Sequence, residues 1–577
     1  MNLIVTHPSV SEPDRAVRLH ESGVGADASP PPGLAAATLC EAFQLTAARF
    51  RDRIALRSSG GDVELTWSEY AERVRVVAGG LASLGVGSGD TVAMLLTNRP
   101  EFHIVDSAAL HLGATPFSVF NTSTLEQIEY LFANAGNRVL VTERAFMDVV
   151  RAVHAPPLER VVILEDGLPE AEHPGFEAAW RRVTSDNMAT LIYTSGTTGP
   201  PKGVQLTHAN LMFACRAYDE VMPIRPAGRL VSYLPCAHLA DRIFAHYASI
   251  VGGATVTCVS DPGRVIGALP DARPTGFIGV PRIWEKLKAG LEAQGVSDPS
   301  AMPDSARAAL RARLGLDDAD WLGSGAAPIA PEVLEYFMAL GLPIAEAWAM
   351  SETAAAGTIN PLNAVRVGTV GRAVPGVELS LAEDGELLIR GPNVMRGYRD
   401  EPEKTAETID ADGWLHTGDI AQIDPDGYVR IVDRKKELII SSGGKNMSPA
   451  NIEQRLKAGS PLIGQACAIG DRRTYNVALI VLDPDAAAAH AKARGLPARS
   501  PAELADHPSI RAAVAAGVAE ANSHLSRIEQ IKRFAVLRVD WSPSTGELTP
   551  TLKLKRRVIT EKYAAEIDAL YAEGRTS

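Results

Sequence analysis

Residues 193 to 203 read Tyr193-Thr194-Ser195-Gly196-Thr197-Thr198-Gly199-Pro200-Pro201-Lys202-Gly203. The apolar run at residues 188–193 leads into them and is typical of a buried strand. Three glycines, four Ser or Thr side chains and one lysine fall within this segment. Glycines allow backbone N–H groups to turn toward a phosphate, hydroxyl groups add donors, and the lysine adds positive charge. The segment therefore predicts a phosphate-binding loop after a strand.

Two other interpretations of this loop are weaker. A Walker A loop requires Gly-x4-Gly-Lys-Ser/Thr, whereas here Pro201 precedes Lys202 and Gly203 follows it. A flexible surface loop is the second interpretation, and the density of hydroxyl groups around a lysine disfavours it.

Composition excludes several classes of protein. The chain has 577 residues, of which 46% are hydrophobic and 22% charged, as in an ordinary globular protein. A disordered chain, a collagen-like chain and a small disulfide scaffold are therefore excluded. With 57 Lys+Arg against 69 Asp+Glu the net charge is −12, which disfavours binding of nucleic acid or an anionic membrane through the overall field.

The five cysteines are scattered and none of their spacings is typical of a zinc site, so we expect reduced, mostly buried thiols. The first twenty residues lack the pattern of a secretory signal, and no stretch approaches the ~18 apolar residues of a membrane helix. We therefore expect a cytoplasmic protein without an integral membrane segment. Peripheral membrane contact stays open.

Helical and strand patterns alternate to about residue 390, which predicts stacked βα units with mostly parallel sheets. After residue 384 the pattern becomes β-rich, with two strands at residues 414–423 and 428–432 around a turn at residues 424–427. A charged run at residues 433–437 follows. Beyond it, Ser448-Pro449 marks a helix start.

Five motifs carry a resemblance to a known family. The loop at residues 193–203 resembles the phosphate loop of the adenylate-forming superfamily, which includes acyl-CoA synthetases, firefly-type luciferases and the adenylation domains of peptide synthetases. Four further motifs match in the family's order, at residues 346–353, 414–419, 433–437 and 546–556. The resemblance covers roughly residues 40 to 565 and is specific, because five ordered matches span nearly 400 residues.

The resemblance implies an α/β fold with two domains of unequal size. We expect a large N-terminal AMP-binding domain of stacked βα units, with a β-rich subdomain, and a small mobile α+β C-terminal domain. The expected boundaries are a flexible leader at residues 1–35, the N-terminal domain at 36–433, a hinge at 434–437 and the C-terminal domain at 438–577.

The resemblance also implies roles for individual residues in binding ATP, CoA and Mg2+. Lys553, His238 and Glu352 are the expected catalytic residues, Glu352 and Thr194 the metal ligands, and Lys436 the hinge residue. Gly444 and Lys445 are expected beside CoA. The expected ATP and AMP ligands are Thr194, Ser195, Gly196, Thr197, Thr198, Gly199, Lys202, Gly325, Ala326, Trp348, Ser351, Asp419 and Arg434.

Several of these residues have a structural interpretation as well. Glu352 suits a hard cation, although a lone glutamate is usually solvated. Trp348 stands where the family stacks an aromatic ring on adenine, and a core tryptophan is the alternative. The Asp419 carboxylate is expected to accept hydrogen bonds from the ribose hydroxyl groups, and an aspartate that caps a turn is the alternative. The Arg434 guanidinium is expected to donate to ribose or phosphate, and an ion pair with Asp433 or Glu437 is the alternative. His238 borders the acyl carboxylate in the family, whereas a lone histidine after an apolar run is more often structural.

The C-terminal motif leaves one assignment open. Lys553 takes the place of the family's active-site lysine, and Lys555 is the alternative. The form Thr551-Leu552-Lys553 resembles long-chain and bubblegum-type acyl-CoA synthetases.

The predicted function is ATP-dependent activation of a carboxylic acid, a medium- or long-chain fatty acid by resemblance, to acyl-AMP and then acyl-CoA. An enzyme that loads the acyl group onto a carrier-protein phosphopantetheine is the alternative. A nucleotide-binding regulator that has lost catalysis is the third hypothesis, and the presence of Lys553 and Glu352 disfavours it.

Overall fold

The computed structural model describes residues 5–6, 30–194, 200–440, 446–496, 500–549 and 553–572. The chain divides into two compact units. The first comprises residues 1–382, 388–417 and 423–430, and the second comprises residues 383–387, 418–422 and 431–577. The predicted leader at residues 1–35 lies largely outside the described residues, and the predicted domain boundaries and hinge stay predictions.

The described strands are given in chain order. They are β1 (Val5–Thr6), β2 (Ile54–Ser58), β3 (Glu64–Thr66), β4 (Thr91–Leu95), β5 (Thr115–Ser118), β6 (Val139–Thr142), β7 (Arg160–Ile163), β8 (Met188–Thr194), β9 (Lys202–Thr207), β10 (Arg229–Ser232), β11 (Thr255–Cys258), β12 (Gly276–Ile278), β13 (Trp321–Ser324), β14 (Ile344–Trp348), β15 (Thr358–Ile359), β16 (Arg372–Ala373), β17 (Glu378–Leu381), β18 (Glu386–Arg390), β19 (Gly397–Tyr398), β20 (Leu415–Ile423), β21 (Val429–Arg434), β22 (Ile439–Ile440), β23 (Asn446–Met447), β24 (Ile463–Ile469), β25 (Asn476–Leu482) and β26 (Ile531–Val536).

The described helices follow the same order. They are α1 (Leu39–Arg49), α2 (Trp67–Ser83), α3 (Pro100–His111), α4 (Leu125–Ala135), α5 (Met147–Ala152), α6 (Phe176–Arg181), α7 (His208–Val221), α8 (Leu239–Asp241), α9 (Ala248–Gly252), α10 (Val265–Ala272), α11 (Pro281–Glu292), α12 (Asp304–Leu314), α13 (Pro331–Ala339), α14 (Pro402–Thr408), α15 (Pro449–Gly459), α16 (Pro484–Ala493), α17 (Pro501–Leu504), α18 (Pro508–Ser523), α19 (Arg556–Lys562) and α20 (Ala564–Ala572). A π-helical segment spans Arg242–Tyr247, and a 3₁₀ segment spans Ser351–Thr353.

A seven-stranded sheet of the first unit has the order β19-β9-β8-β5-β4-β6-β7. The strands from β8 to β7 pair in parallel, whereas β9 and β19 are antiparallel to their neighbours. Phe117, Phe132 and Tyr193 pack together in the core on one face of this sheet. The sheet places the end of β8, where the predicted phosphate loop begins, at the carboxyl edge of its parallel strands.

Two further sheets complete most of the first unit. One has the order β12-β13-β14-β15-β16, parallel as far as β14 and antiparallel beyond it. Its core includes the fully buried rings of Trp284 and Phe337. The other has the order β10-β11-β2-β3, in which only the β2–β3 pair is antiparallel. The prediction of an α/β fold with mostly parallel sheets is confirmed.

The β-rich region after residue 384 forms as expected. Strands β20 and β21 flank a tight turn in which Asp424 Oδ1 accepts from the backbone N–H groups of Asp426 and Tyr428. Gly427 has a φ of +83°, which glycine adopts without strain. These strands belong to a five-stranded sheet of order β1-β17-β18-β20-β21.

The second unit contains a three-stranded sheet of order β24-β25-β26, with helices α15 and α18 packed on it. Helix α15 begins as predicted, because the Ser448 side chain accepts from Asn451 N and Pro449 occupies the first turn. Ile452, Leu456 and Val514 are fully buried in its core. The unit is therefore a small α+β domain with its own core.

Two further predictions concern the cysteines and membrane-spanning helices. All five cysteines are buried free thiols, as predicted. Within the described ranges, the structure has no helix with both the length and the apolar character needed to cross a bilayer.

Candidate active site

The strands that flank the predicted phosphate loop are neighbours in the sheet. Thr194, the last residue of β8, pairs with Lys202, the first residue of β9. A Cβ at Gly203 would lie 3.1 Å from the Tyr193 ring, so glycine allows the two strands to approach closely. The loop residues between them, Ser195, Gly196, Thr197, Thr198 and Gly199, lie outside the described residues. The described flanks nevertheless bring Thr194 and Lys202 side by side.

Glu352 lies in the 3₁₀ segment that begins at Ser351, and it is buried. Its Oε1 accepts a hydrogen bond from the Tyr398 hydroxyl at 2.9 Å, and its backbone oxygen accepts from Met395 N at 2.8 Å. The Lys202 ammonium lies 4.5 Å from the centre of the Tyr398 ring. Tyr398 therefore connects the predicted metal ligand with the predicted phosphate-binding lysine.

Sequence reasoning missed Tyr398. The available signal was an aromatic residue next to a glycine in a stretch that is otherwise charged, since Arg396, Arg399 and Asp400 surround Gly397-Tyr398. Burial and the neighbouring Glu352 carboxylate both raise the pKa of the Tyr398 hydroxyl above its usual value. The hydroxyl is therefore a neutral hydrogen-bond donor at physiological pH.

Trp348, the predicted adenine-stacking residue, is half-buried at the end of β14. Strand β15 pairs with it at Thr358. A Cβ at Gly357 would lie 2.4 Å from the Trp348 carbonyl oxygen and 3.1 Å from its indole ring, so the chain lies flat against the tryptophan. The partial exposure leaves indole surface for a ligand, which a fully buried core tryptophan would lack.

Gly325 and Ala326 follow strand β13, which is parallel to β14. A Cβ at Gly325 would approach the Ala347 carbonyl oxygen at 3.2 Å. Ala326 is exposed and has a φ of +67°, a left-handed conformation that is unfavourable for a residue with a side chain. Both residues therefore lie at the carboxyl edge that also carries Trp348.

Glu346 is a buried residue near Trp348 for which the sequence predicted no role. Parallel pairing places it opposite Ser324, two residues before Trp348 on the same strand. Burial raises the pKa of the Glu346 carboxyl to about 8. Within the described residues, the buried hydroxyl groups of Ser324 and Thr358 have no hydrogen-bond partner. The face of the sheet that presents Trp348 thus carries a buried carboxyl and two buried hydroxyl groups that have no partner among the described residues.

His238 performs the structural role that the sequence offered as an alternative. Its Nδ1 accepts from Ala240 N at 3.1 Å and so caps helix α8. Three residues later, the buried Asp241 carboxyl accepts from Ser232 Oγ and from Tyr233 N. Burial raises the pKa of Asp241 to about 7. These bonds fix the segment before His238, whose role toward the acyl carboxylate stays a prediction.

In the second unit, Asp419 on β20 and Arg434 on β21 form an ion pair, with Arg434 Nε 2.7 Å from Asp419 Oδ1. Asp419 is buried, whereas the Arg434 side chain is half exposed. The sequence offered Asp433 and Glu437 as ionic partners of Arg434. The observed partner is Asp419, because adjacent strands bring together residues that are distant in the chain.

Lys436, the predicted hinge residue, is exposed in a turn after β21. Its neighbour Lys435 lies 2.5 Å from Asp384 Oδ2 and 2.9 Å from Glu386 Oε2. Glu386 also accepts from Gly418 N at 2.8 Å. All of these residues belong to the second unit, so Lys435 is an anchoring residue just before Lys436.

The backbone of Lys553 pairs with Thr549, next to an isolated antiparallel bridge between Leu548 and Leu554. Its N–H donates to Thr549 Oγ1 at 3.0 Å, and its carbonyl accepts from Thr549 N at 2.8 Å. The Lys553 side chain is exposed, whereas Lys555 is half-buried at the start of α19. This placement favours Lys553 over Lys555 as the residue that meets a substrate, and the assignment stays a prediction.

Arg556, in the same basic cluster, has a different environment. Its guanidinium forms a two-pronged pair with Glu453, including Nη2 to Oε2 at 2.6 Å, and its Nε lies 3.1 Å from Glu437 Oε2. The side chain is 18% exposed, against 70% for Arg557. Arg556 is therefore a structural residue that joins the lysine motif to α15 and to the end of the charged run.

The two residues predicted to border CoA, Gly444 and Lys445, lie outside the described residues. No group of three or more His, Cys, Asp or Glu side chains suited to a metal occurs within the ranges that the structure describes.

Comparison with known proteins identifies the family to which this chain belongs. The profile of the AMP-binding enzyme family matches residues 43–399, and that of the AMP-binding enzyme C-terminal domain matches residues 436–575. The chain belongs to the AMP-binding enzyme family, which confirms the resemblance drawn from the five motifs.

Three proteins that are similar to this chain are named as CoA ligases or CoA synthetases. Long-chain-fatty-acid–CoA ligase FadD15 of Mycobacterium bovis is 36% identical over 558 residues, which cover 88% of this chain and 92% of the relative. Long-chain-fatty-acid–CoA ligase ACSBG2 of Gallus gallus is 30% identical over 645 residues, covering 97% and 84%. The solved structure of O-succinylbenzoate coenzyme A synthetase (MenE) from Bacillus subtilis with ATP and magnesium ion is similar in fold, with a TM-score of 0.70, 22% identity, and coverage of 89% of this chain and 98% of that chain.

Proposed function

We propose that this protein is an acid–thiol ligase that converts a medium- or long-chain fatty acid to its acyl-CoA thioester, with ATP converted to AMP and pyrophosphate. The observation that carries the proposal is the similarity to relatives named long-chain-fatty-acid–CoA ligases along nearly the whole chain. The arrangement of Lys202, Tyr398 and Glu352 agrees with it, because it places an ammonium group and a carboxylate in contact with the same tyrosine.

The first half-reaction needs no nucleophile from the protein. A carboxylate oxygen of the acid attacks the α-phosphorus of ATP, the bond from that phosphorus to the bridging oxygen breaks, and pyrophosphate leaves. Catalysis then depends on orientation and charge neutralisation. We assign the loop from Thr194 to Lys202 to the departing phosphates, Trp348 to adenine, Asp419 and Arg434 to ribose, and Lys553 to the α-phosphate and the attacking carboxylate.

Ser351, Gly325 and Ala326 are assigned to the nucleotide as well. Ser351 is next to Glu352 in the 3₁₀ segment, and Gly325 and Ala326 follow β13 beside the strand that ends at Trp348. His238 is assigned to the border of the acyl carboxylate. Of these residues, Ala326 has the left-handed backbone that turns the chain away from the strand at this edge.

Magnesium fits the donors that the site offers. Glu352 supplies one buried carboxylate, and Thr194 adds a hydroxyl at the end of β8. Mg2+ is commonly held by one or two carboxylates together with substrate phosphates rather than by a cage of protein ligands. When bound, the ion would neutralise phosphate charge. Glu352 and Thr194 would hold it.

In the second half-reaction the CoA thiol attacks the acyl carbon, AMP leaves with the oxygen that came from the acid, and the thiol proton passes to solvent. We propose that the C-terminal unit reorients about residues 434–437, with Lys436 as pivot, between the two steps. Gly444 and Lys445 are assigned to the pantetheine arm, since a glycine allows close passage of a chain.

CoA is the favoured acceptor, because the curated relatives are named CoA ligases. Loading of a carrier protein is the less favoured alternative, and a regulator without catalysis is disfavoured by the ligase relatives. We propose a cytoplasmic location and no nucleic-acid partner.

The test is a pyrophosphate-release assay with a panel of acids from eight to eighteen carbons, aryl acids included, and either CoA or a carrier protein as acceptor. We expect release only with acid present, highest with medium or long saturated chains, and turnover with CoA. A preference for an aryl acid would refute the substrate class, and turnover with the carrier alone would refute the acceptor.

A further inference from the structure

One buried side chain contacts both the carboxylate that we assign to Mg2+ and the ammonium group that we assign to the phosphates. The Tyr398 hydroxyl lies 2.9 Å from Glu352 Oε1, and the Lys202 ammonium lies 4.5 Å from the centre of the Tyr398 ring. Tyr398 is 6% exposed. An aromatic side chain is thus placed between a carboxylate and an ammonium group of opposite charge.

Hydrogen bonds of the backbone fix the position of Tyr398. Tyr398 N donates to Thr405 Oγ1 at 2.9 Å, and Arg399 N donates to Gly203 O at 2.8 Å. Strand β19 therefore pairs with β9, which starts at Lys202. As a result, the tyrosine and the lysine belong to adjacent, hydrogen-bonded strands.

The same segment also fixes Glu352. Met395 N donates to the Glu352 backbone oxygen at 2.8 Å, three residues before Tyr398 donates to the carboxylate. The glutamate is thus held at its backbone and at one carboxylate oxygen. A carboxylate has about four acceptor positions, so a single phenol donor leaves the others for a ligand.

The two ends of the tyrosine suit the two charges. A phenol O–H is a good donor to a carboxylate, and the face of an aromatic ring attracts an ammonium group. A direct ion pair between Lys202 and Glu352 would occupy both groups. In the part of the chain that the structure describes, no such ion pair is formed, and Tyr398 is the contact that the two share.

We propose that Tyr398 is a positioning residue that orients the Glu352 carboxylate and keeps it apart from the Lys202 ammonium, so that both stay available to a metal-bound triphosphate. The inference rests on the proposed function, in which Glu352 is the metal ligand. It adds a residue to which neither the motifs nor the family resemblance gave a role.

The first test compares Tyr398→Phe with a matched control, Tyr336→Phe. Tyr336 is also 6% exposed, its hydroxyl donates to Val296 O at 2.7 Å, and the Lys288 ammonium lies 5.5 Å from its ring. Mn2+ is the probe, and its binding in the presence of ATP and the absence of fatty acid is followed by electron paramagnetic resonance. We expect Tyr398→Phe to weaken binding of Mn2+ with ATP about tenfold, as for loss of a hydrogen bond to a charged group. Tyr336→Phe should bind as the wild type does.

The kinetic counterpart separates positioning from general damage. In Tyr398→Phe the KM for ATP should rise about tenfold while the KM for the fatty acid stays within twofold. In a Glu352→Gln background, adding Tyr398→Phe should change Mn2+ binding less than twofold, because the hydroxyl acts through the carboxylate. If the tyrosine had only a structural role, Tyr398→Phe would weaken Mn2+ binding equally in the wild-type and the Glu352→Gln backgrounds.

Unchanged Mn2+ binding by a folded Tyr398→Phe protein would overturn the inference. So would a Tyr398→Phe protein that is unfolded, because the fold itself would then require the hydroxyl. If the wild type released no pyrophosphate with any acid while Tyr398→Phe still lost Mn2+ binding, the proposed function would fail and this inference would stand. The reverse pattern would reject this inference alone.

Discussion

The protein holds two charged groups, Glu352 and Lys553, in different surroundings. We assign Glu352 to the metal that binds the phosphates and Lys553 to the α-phosphate. Glu352 is 8% exposed, receives a hydrogen bond from Tyr398 and is fixed at its backbone oxygen. Lys553 has a paired backbone but an exposed side chain. A fixed carboxylate suits a cation that binds once in each cycle. An exposed lysine in a separate unit suits a charge that is needed in only one half-reaction.

The largest expected effect tests the lysine side of this comparison. Lys553→Ala should reduce acyl-AMP formation about a thousandfold, because the positive charge at the α-phosphate is lost. Conversion of a supplied acyl-adenylate to acyl-CoA should change less than threefold. The two half-reactions are measured separately, as pyrophosphate release and as thioester formation.

Lys555→Ala is the companion variant, and it should leave adenylation within about threefold of the wild type. If Lys555→Ala gave the larger loss, the assignment of the active-site lysine would move by two residues. An equal drop of both half-reactions in Lys553→Ala would contradict the division of roles.

The next effect compares a largely buried arginine with an exposed arginine in the lysine motif. Arg556→Ala leaves the buried carboxylate of Glu453 and the partly buried carboxylate of Glu437 without this partner, so we expect a loss of about 3 kcal/mol in the stability of the second unit. Chemical denaturation followed by circular dichroism measures this. The adjacent Arg557→Ala should cost less than about 0.5 kcal/mol, since its pair with Glu561 is exposed. Equal effects would show that burial does not distinguish the two arginines.

A smaller effect concerns a second buried carboxyl near Trp348. The folded pKa of Glu346 is about 8, above its ordinary value of 4.5, so between these values the folded protein keeps a proton that the unfolded chain releases. Stability therefore falls as the pH rises through this window. Relative to Glu346→Gln, the wild type should lose about 2 kcal/mol between pH 6 and 8, at about 1.4 kcal/mol for each pKa unit.

Melting temperatures of the wild type and Glu346→Gln, recorded at both pH values and constant ionic strength, test this dependence. The exposed Glu335→Gln is the control and should follow the wild type. A difference between wild type and Glu346→Gln that does not vary with pH would contradict the burial argument.

The smallest effect concerns the nucleotide. Trp348→Ala should raise the KM for ATP about tenfold, roughly 1.4 kcal/mol, because a stacking surface is removed. Trp348→Tyr should recover most of it. A rise in the KM for the fatty acid instead would place the tryptophan at the acyl group.

Much of the fold could be predicted from local patterns. The alternating helices and strands, the turn at residues 424–427 and the helix start at Ser448 follow from short-range signals that the structure reproduces. The assignment of residues 383–387 and 418–422 to the second unit could not be predicted, because it depends on strand pairing between distant segments.

The residues of the candidate site also divide into those with a local sequence signal and those whose contacts depend on the fold. Lys202 and Glu352 stand in motifs that are contiguous in sequence, so the composition of the loop predicted Lys202 and the family resemblance predicted Glu352. The contact of Tyr398 with Glu352 joins residues 46 positions apart, and that of Arg556 with Glu453 joins residues 103 apart. The raised pKa of Glu346 arises from packing, which no local pattern encodes.

The central claim is that the acid oxygen attacks the α-phosphorus before any thiol reacts. The most direct measurement supplies a fatty acid labelled with 18O in both carboxylate oxygens, together with ATP, magnesium and CoA, and analyses the products by mass spectrometry. One 18O atom in each AMP, and none in pyrophosphate, is the predicted result. Unlabelled AMP, or label in pyrophosphate or orthophosphate, would contradict the account.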